Sequence, residues 1–262
     1  LNRQDGGKRK YILVEMGAHF DTVLKPRLEK VAYAKDWKDG KPTSRTTGIS
    51  HCFKYLSLES YEDALGNIEL PSDEKVRPML NMFGEEYLVK YMLDLDAIGS
   101  VLNLDAFKEP FNYQLNITEK NETKKTAVDL VETFNYLIGL TVTRMYARRS
   151  FNAAPQAHGE YEGAVELASD VNGKYTFRQV EGTLRDGQRV LIIWRTISDN
   201  LKESNAALDA YFARYRINPA DREFSIIYVN GDNNVENLRK DDETWKVRII
   251  EPEFKERMFE EE

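Results

Sequence analysis

The sequence predicts an α/β protein, and three observations support that prediction. A short apolar run at residues 11–14 indicates a buried strand, and a helical apolar pattern follows near residues 21–34. The last third of the chain alternates strand-length apolar runs with helical patterns. The length of 262 residues, with 41% hydrophobic and 31% charged residues, suits a globular protein with a sizeable core. We therefore expect a sheet flanked by helices.

The first predicted strand ends in a single acid, Glu15, followed by Met16 and Gly17. In doubly wound α/β folds, an acid at the carboxyl end of the second strand commonly binds the ribose hydroxyls of a nucleotide-like cofactor. From spacing alone, an ordinary exposed acid is the preferred interpretation of Glu15. Residues 1–10 are too short a segment for the preceding strand and helix. We therefore expect that a larger enzyme continues upstream of Leu1.

The next segments mix helix, loop and strand patterns. Pro26 lies inside the helical pattern at residues 21–34, so this helix should begin late or be kinked. Residues 35–50 are polar and predict a loop, and residues 52–58 predict a strand. A short helix at residues 60–65 and a helix near residues 85–94 follow.

The clearest helical pattern covers residues 126–140 and ends at Gly139. Its apolar residues lie on one stripe: Ala127, Leu130, Val131, Phe134, Leu137 and Ile138. A dimer seam and an ordinary core-facing helix both explain that stripe. We favour the core-facing helix, because one helix of this length is too short to define a heptad register.

The last third predicts an independent α/β domain. Strands at residues 175–180 and 189–194 flank the turn sequence Arg185-Asp186-Gly187, which is typical of a hairpin. Ser198 or Asn200 can cap a helix running to residue 215, and a continuous apolar strand follows at residues 224–229. A strand, a helix and a strand with short links predict a parallel, right-handed crossover. A strand at 245–250 and a helix at 252–259 complete the domain.

Composition limits the classes of function. Cys52 is the single cysteine and His19, His51 and His158 are scattered, so we predict neither a disulfide nor a metal site. We recognise no signal-peptide pattern and no apolar run of membrane-spanning length in this sequence, so we expect a cytoplasmic protein without a membrane partner.

The net charge of −7 disfavours a main role in gripping DNA, because nucleic-acid binders usually present a basic surface to phosphates. A local basic patch at Arg144, Arg148 and Arg149 remains an open alternative.

No complete active site emerges from the residues. His51 and Cys52 are neighbours in a predicted strand, so their side chains should point to opposite faces. Asp221 and Glu223 precede a strand without the second acid and lysine of a nuclease site. Asp232 follows a strand end within Asn-Gly-Asp-Asn, which is also an ordinary turn sequence. We therefore predict no catalytic residue.

Several segments, in a specific order, resemble the C-terminal part of the modification subunits of type III restriction–modification systems. These subunits are β-class, adenine-specific DNA methyltransferases. The matching segments cover residues 2–7, 10–17, 20–27, 53–55, 58–63, 128–137, 190–195, 228–233 and 243–248.

The resemblance implies three regions. Residues 1–50 would be the remnant of a Rossmann-like methyltransferase domain, residues 51–120 a helical or mixed connector, and residues 121–262 a C-terminal α/β domain with a mixed sheet. Glu15 matches the acid that holds the ribose of S-adenosylmethionine. The family's Asp-Pro-Pro-Tyr and Phe-x-Gly-x-Gly motifs do not occur in this chain.

The resemblance also implies a function. The intact enzyme would transfer a methyl group from S-adenosylmethionine to adenine N6, and would contact DNA through its N-terminal part. This chain would be inactive alone and would serve assembly with a second modification subunit or with the restriction subunit. The alternative is a stand-alone interaction or scaffold protein derived from such an enzyme.

Overall fold

The computed structural model describes residues 5–7, 9–58, 60, 62–63, 67, 107–119, 122–156, 163–236 and 245–259. The chain divides into two compact units, Leu1–Leu58 and Glu59–Glu262. The protein is mixed α/β, and most of its regular structure is a strand-rich sheet of mixed orientation. The predicted helix at residues 85–94 lies outside the described residues, as do residues 61, 64 and 65 of the predicted helix at residues 60–65.

The described residues of the first unit contain a helical segment followed by a short hairpin. A π-helical turn, Phe20–Leu24, continues into helix α1, Lys25–Tyr33. Helical backbone therefore begins before Pro26, so the predicted late start is wrong. Pro26 instead lies where the backbone changes from π-helical to α-helical bonding. Strands β1 (Trp37–Lys38) and β2 (Lys41–Pro42) then form a minimal antiparallel hairpin.

Two strand predictions in the first unit are wrong. Residues 11–14 and 52–58 pair with no strand in the described part of the chain, and both segments have an irregular backbone. A lone strand is unstable because its backbone groups need a neighbouring ladder. The side chains remain in solvent: Ile12 is 90% exposed, Val14 85% and Leu58 91%. Glu15 therefore follows an irregular segment instead of a strand.

The second unit contains a seven-stranded sheet. Its strands are β5 (Thr141–Met145), β6 (Arg149–Pro155), β7 (Val165–Ser169), β8 (Tyr175–Thr183), β9 (Arg189–Arg195), β10 (Ile226–Val229) and β11 (Val247–Ile249). The order is β11-β10-β9-β8-β6-β7, and β5 also pairs with β8. The β9–β10 and β10–β11 pairs are parallel, and the other pairs are antiparallel. The predicted hairpin and parallel crossover are thus confirmed.

The described residues of the second unit also contain helices and a separate hairpin. Strands β3 (Gln114–Glu119) and β4 (Glu122–Ala127) form the hairpin. The helices are α2 (Leu130–Leu137), α3 (Leu201–Tyr215) and α4 (Ile250–Phe259). Of the two predicted caps for α3, Asn200 is the one used, and its side chain accepts from the backbone N–H of Glu203.

Helix α2 is shorter than the predicted helix at residues 126–140. Thr126 and Ala127 belong to β4 because their backbones pair with β3. The Asp129 side chain then caps α2 by accepting from the backbone N–H of Glu132. Gly139, at a φ of 65°, follows its end.

The core lies on both faces of the sheet. Alternate residues of β9 point to opposite faces: Val190, Ile192 and Trp194 pack with α2 and α4, whereas Leu191 and Ile193 pack with α3. The buried face of α2 belongs to the first cluster, which confirms the core-facing interpretation of its stripe. The second unit is therefore a sheet between helical layers.

Candidate functional site

Glu15 occupies an exposed position just before the π-helical turn. Its Oε1 accepts a hydrogen bond from the backbone N–H of Gly17 at 2.9 Å. This contact closes a short local loop and leaves the carboxylate accessible to solvent. Ribose binding by Glu15 stays a prediction.

His51 and Cys52 do not form a thiol–imidazole couple in the described contacts. The Nδ1 of His51 is 2.7 Å from the carbonyl oxygen of Ile49, and its ring packs near the rings of Tyr11 and Phe53. Cys52 is exposed as a free thiol.

The three arginines considered as a basic patch have separate partners. Arg144 donates to the hydroxyl of Tyr146 at 3.1 Å, and this bond raises the pKa of Arg144. Arg149 donates to the hydroxyl of Tyr215 on α3 at 2.9 Å, which raises the pKa of Arg149. Arg148 instead lies over the ring of Phe111. The basic patch itself stays a prediction, because these contacts do not test phosphate binding.

The carboxyl ends of β9 and β10 carry a buried polar cluster. Arg195, at the end of β9, is fully buried. Its guanidinium donates to the carbonyls of Ser204 (2.9 Å), Asn230 (3.2 Å) and Asp232 (2.9 Å), and to the side-chain oxygen of Asn205 (3.0 Å). Burial lowers the pKa of Arg195 to about 10, against the opposing effect of nearby acids. Arg195 therefore joins α3 to the loop after β10.

Asn230 completes this cluster from the next strand. Its Oδ1 accepts from the backbone N–H of Arg195 at 2.7 Å, and its Nδ2 donates to the carbonyls of Phe107 (2.8 Å) and Arg195 (2.9 Å). Asn230 is fully buried, so these bonds replace its hydration. It joins the backbone of Phe107 to the end of the sheet.

Glu251, in the first turn of α4, borders the same cluster. Its Oε1 accepts from the backbone N–H of Gly231 at 2.7 Å, whereas its Oε2 is buried without a partner among the described residues. Burial raises the pKa of the Glu251 carboxyl, and the Gly231 bond and the Arg195 charge oppose that effect.

The sequence pattern missed this cluster because its contacts join residues far apart in the chain. Two features of the sequence could have indicated the cluster. An arginine ends the apolar run of β9, and an asparagine follows the apolar run of β10. In α/β sheets the carboxyl ends of parallel strands commonly carry polar groups used in binding. Here these groups mainly satisfy one another.

An open cleft of about 450 Å³ lies beside this cluster. Its lining comes from four parts of the second unit: Glu109, Phe111 and Asn112; Arg148 and Ser150; Gly173, Lys174 and Thr176; and Thr196. Thr196 directly follows Arg195, so the cleft opens at the carboxyl end of β9. Its chemical character is cationic and hydroxyl-rich.

Within the described residues, no group of three or more His, Cys, Asp or Glu side chains has an arrangement suited to a metal ion. None of the described helices combines the length and apolar character needed to cross a membrane.

No protein-family model, curated protein or solved structure matches this chain.

Proposed function

We propose that this chain is the C-terminal part of the modification subunit of a type III restriction–modification system, an adenine-specific DNA methyltransferase. The ordered series of matching segments, from residues 2–7 to residues 243–248, supports this assignment. The structural observation that carries the proposal is the exposed apolar surface of the unit Leu1–Leu58.

Exposed apolar side chains are numerous in this unit. Ala34 is buried, whereas these thirteen large hydrophobic residues are exposed: Tyr11, Ile12, Leu13, Val14, Met16, Val23, Val31, Tyr33, Ile49, Phe53, Tyr55, Leu56 and Leu58. Contiguous exposed apolar surface commonly marks a surface that another protein or segment covers. A unit that belongs to a larger cofactor domain accounts for it, because the rest of that domain would supply the missing sheet and core.

In the intact subunit, we assign Glu15 to the ribose of S-adenosylmethionine. Its exposed carboxylate has acceptor capacity beyond the bond from Gly17. The chemical step needs an adenine flipped out of the duplex, with its amino group facing the methyl donor. The groups that hold adenine belong to the Asp-Pro-Pro-Tyr motif, which this sequence lacks. The chain alone is therefore inactive in this proposal.

The second unit then serves assembly, with a second modification subunit or with the restriction subunit. It has its own core on both faces of its sheet, so it can act as a preformed docking domain. The chain's net charge of −7 favours a protein partner over the phosphates of DNA. DNA contact is assigned to the N-terminal part of the intact enzyme.

The decisive experiment begins with the codons upstream of Leu1. We expect an open frame that encodes Asp-Pro-Pro-Tyr and Phe-x-Gly-x-Gly. The longer protein should methylate adenine N6 in DNA. In that protein, Glu15→Ala should raise the KM for S-adenosylmethionine about tenfold, whereas Glu29→Ala, which removes an exposed acid of α1, should leave it unchanged.

An upstream region that encodes neither motif would contradict the methyltransferase assignment and favour the stand-alone scaffold.

The assembly role has its own test. Light scattering of this chain mixed with the restriction subunit should detect a complex. A monomer in that mixture, with no co-purification, would reject the assembly role.

A further inference from the structure

The lining of the cleft at the carboxyl end of β9 includes Arg148, whose guanidinium group could bind an anion. The guanidinium carbon of Arg148 lies 5.4 Å from the centre of the Phe111 ring, so the ring supports the planar group. Among the described residues, Arg148 makes no hydrogen bond or ion pair. No described residue therefore competes with a ligand for its N–H donors.

Hydroxyl groups line the floor of the same cleft. Ser150 and Thr176 are paired residues on β6 and β8, and their hydroxyl oxygens are 2.8 Å apart. Since one hydroxyl donates to the other, the proton of the accepting hydroxyl is left for a further acceptor. Thr196 extends the row: its Oγ1 accepts from the backbone N–H of Thr176 at 2.9 Å and bonds to the carbonyl of Lys174.

The charges of the lining sum to a positive value. Arg148 and Lys174 each contribute one positive charge, and Glu109 contributes one negative charge. The Nζ of Lys174 lies 2.8 Å from Oε2 of Glu203, outside the lining, so Lys174 is partly neutralised. Arg148 is thus the main positive group directed at a ligand, and Glu109 is the opposing one.

We propose that this cleft binds the phosphate group of a small molecule, with Arg148 as its principal contact and the Ser150–Thr176 hydroxyl pair as a secondary one. A guanidinium matches two phosphate oxygens with two parallel N–H bonds, and hydroxyls complete such a site. The volume of about 450 Å³ lies within the range of about 300–1,000 Å³ that is typical of small-ligand sites.

Two sources can present a phosphate: a small molecule or the backbone of a nucleic acid. The acidic chain disfavours a polyanion, because long-range repulsion acts on every phosphate of a duplex. A mononucleotide carries few charges and is of a size suited to a cleft of about 450 Å³. The proposal stands independently of the methyltransferase assignment.

The test is calorimetric titration of the full chain with inorganic phosphate, adenosine monophosphate and a short DNA duplex. We expect saturable binding of phosphate or the mononucleotide. Arg148→Gln should weaken it roughly 10- to 100-fold, since hydrogen bonds to charged groups are the strong ones. Arg148→Lys, which keeps the charge but not the two parallel bonds, should give an intermediate loss.

Two further variants separate a local contact from net charge. Glu109→Gln should strengthen binding, because it removes the opposing charge of the lining. Arg144→Gln changes net charge as Arg148→Gln does, but Arg144 does not line the cleft, so affinity should stay within about twofold. Circular dichroism of each variant should match that of the parent chain.

Three outcomes would overturn the proposal. The first is no heat with phosphate and mononucleotide at millimolar concentration. The second is equal weakening by Arg148→Gln and Arg144→Gln, which would indicate diffuse electrostatics. The third is Arg148-dependent binding of the duplex alone, which would assign the cleft to nucleic acid.

Discussion

Arg195 is a buried cation whose four hydrogen bonds all run to neutral oxygens. A buried charge is costly unless its donors are satisfied, and each of these bonds is stronger than in water because the surroundings are poorly polarisable. Glu251, Asp209 and Asp232 act on Arg195 from a greater distance and favour its charged form. Arg195 thus holds the loop after β10 against α3.

Asn230→Ala should destabilise the protein by about 2–3 kcal/mol. The substitution leaves the backbone N–H of Arg195 and the carbonyl of Phe107 without partners in a buried site. The free energy of unfolding in urea measures the effect. Asn234→Ala is the matched control, because Asn234 is exposed and makes one long bond to Asp209. Equal losses for the two variants would contradict the role of Asn230.

Glu251→Gln should change how stability depends on pH. Burial raises the folded-state pKa of Glu251, so the folded protein holds the proton more tightly than the unfolded chain. The resulting stabilisation is present below the unfolded pKa and is lost as pH rises through the folded pKa. The Tm of Glu251→Gln minus that of the parent should therefore become more positive with rising pH above about 4.5. A difference that is constant with pH would reject this.

At the scale of elements, local sequence signals explain which predictions succeeded. The β8–β9 hairpin has its turn residues within the loop, and Asn200 caps α3 through a residue three positions away. The segment at residues 11–14 has a strand-like composition, yet a strand also needs a neighbour, which its own residues do not encode. Asn230 was missed for a similar reason, since one of its partners, Phe107, lies 123 residues away.

Helix α2 offers a direct comparison of two aromatic residues on one element. Phe134 is fully buried and its ring contacts those of Trp194, Tyr228 and Phe254, whereas Tyr136 is 75% exposed. Phe134→Ala should cost about 3–5 kcal/mol, because it removes a large side chain from packed surroundings. Tyr136→Ala should cost less than about 1 kcal/mol. Chemical denaturation measures both, and similar losses would contradict the core-facing placement of α2.

At the scale of the whole molecule, the two units differ in how they treat apolar residues. In the second unit, both faces of the sheet are covered, and Trp194, Ile192 and Ile193 are fully buried. In the first unit, residues of similar character are exposed on irregular segments. The fold class and the C-terminal domain could be predicted because the strands and helices of that segment bury one another's apolar faces. The structure of the first unit could not be predicted in the same way, because its strand-like segments at residues 11–14 and 52–58 pair with no described strand.

The difference between the units predicts how dye binding is distributed along the chain. The full chain should bind a hydrophobic fluorescent dye strongly, because the exposed apolar side chains of the first unit attract it. Residues 59–262 expressed alone should lose most of that fluorescence and still unfold cooperatively, since the two core clusters lie in the second unit. Tryptophan fluorescence in urea reports the unfolding, and Phe134→Ala in the shortened chain serves as a positive control for exposed core. Undiminished dye fluorescence would contradict the assignment of the apolar surface to the first unit. A gradual transition without a plateau would contradict independent folding of the second unit.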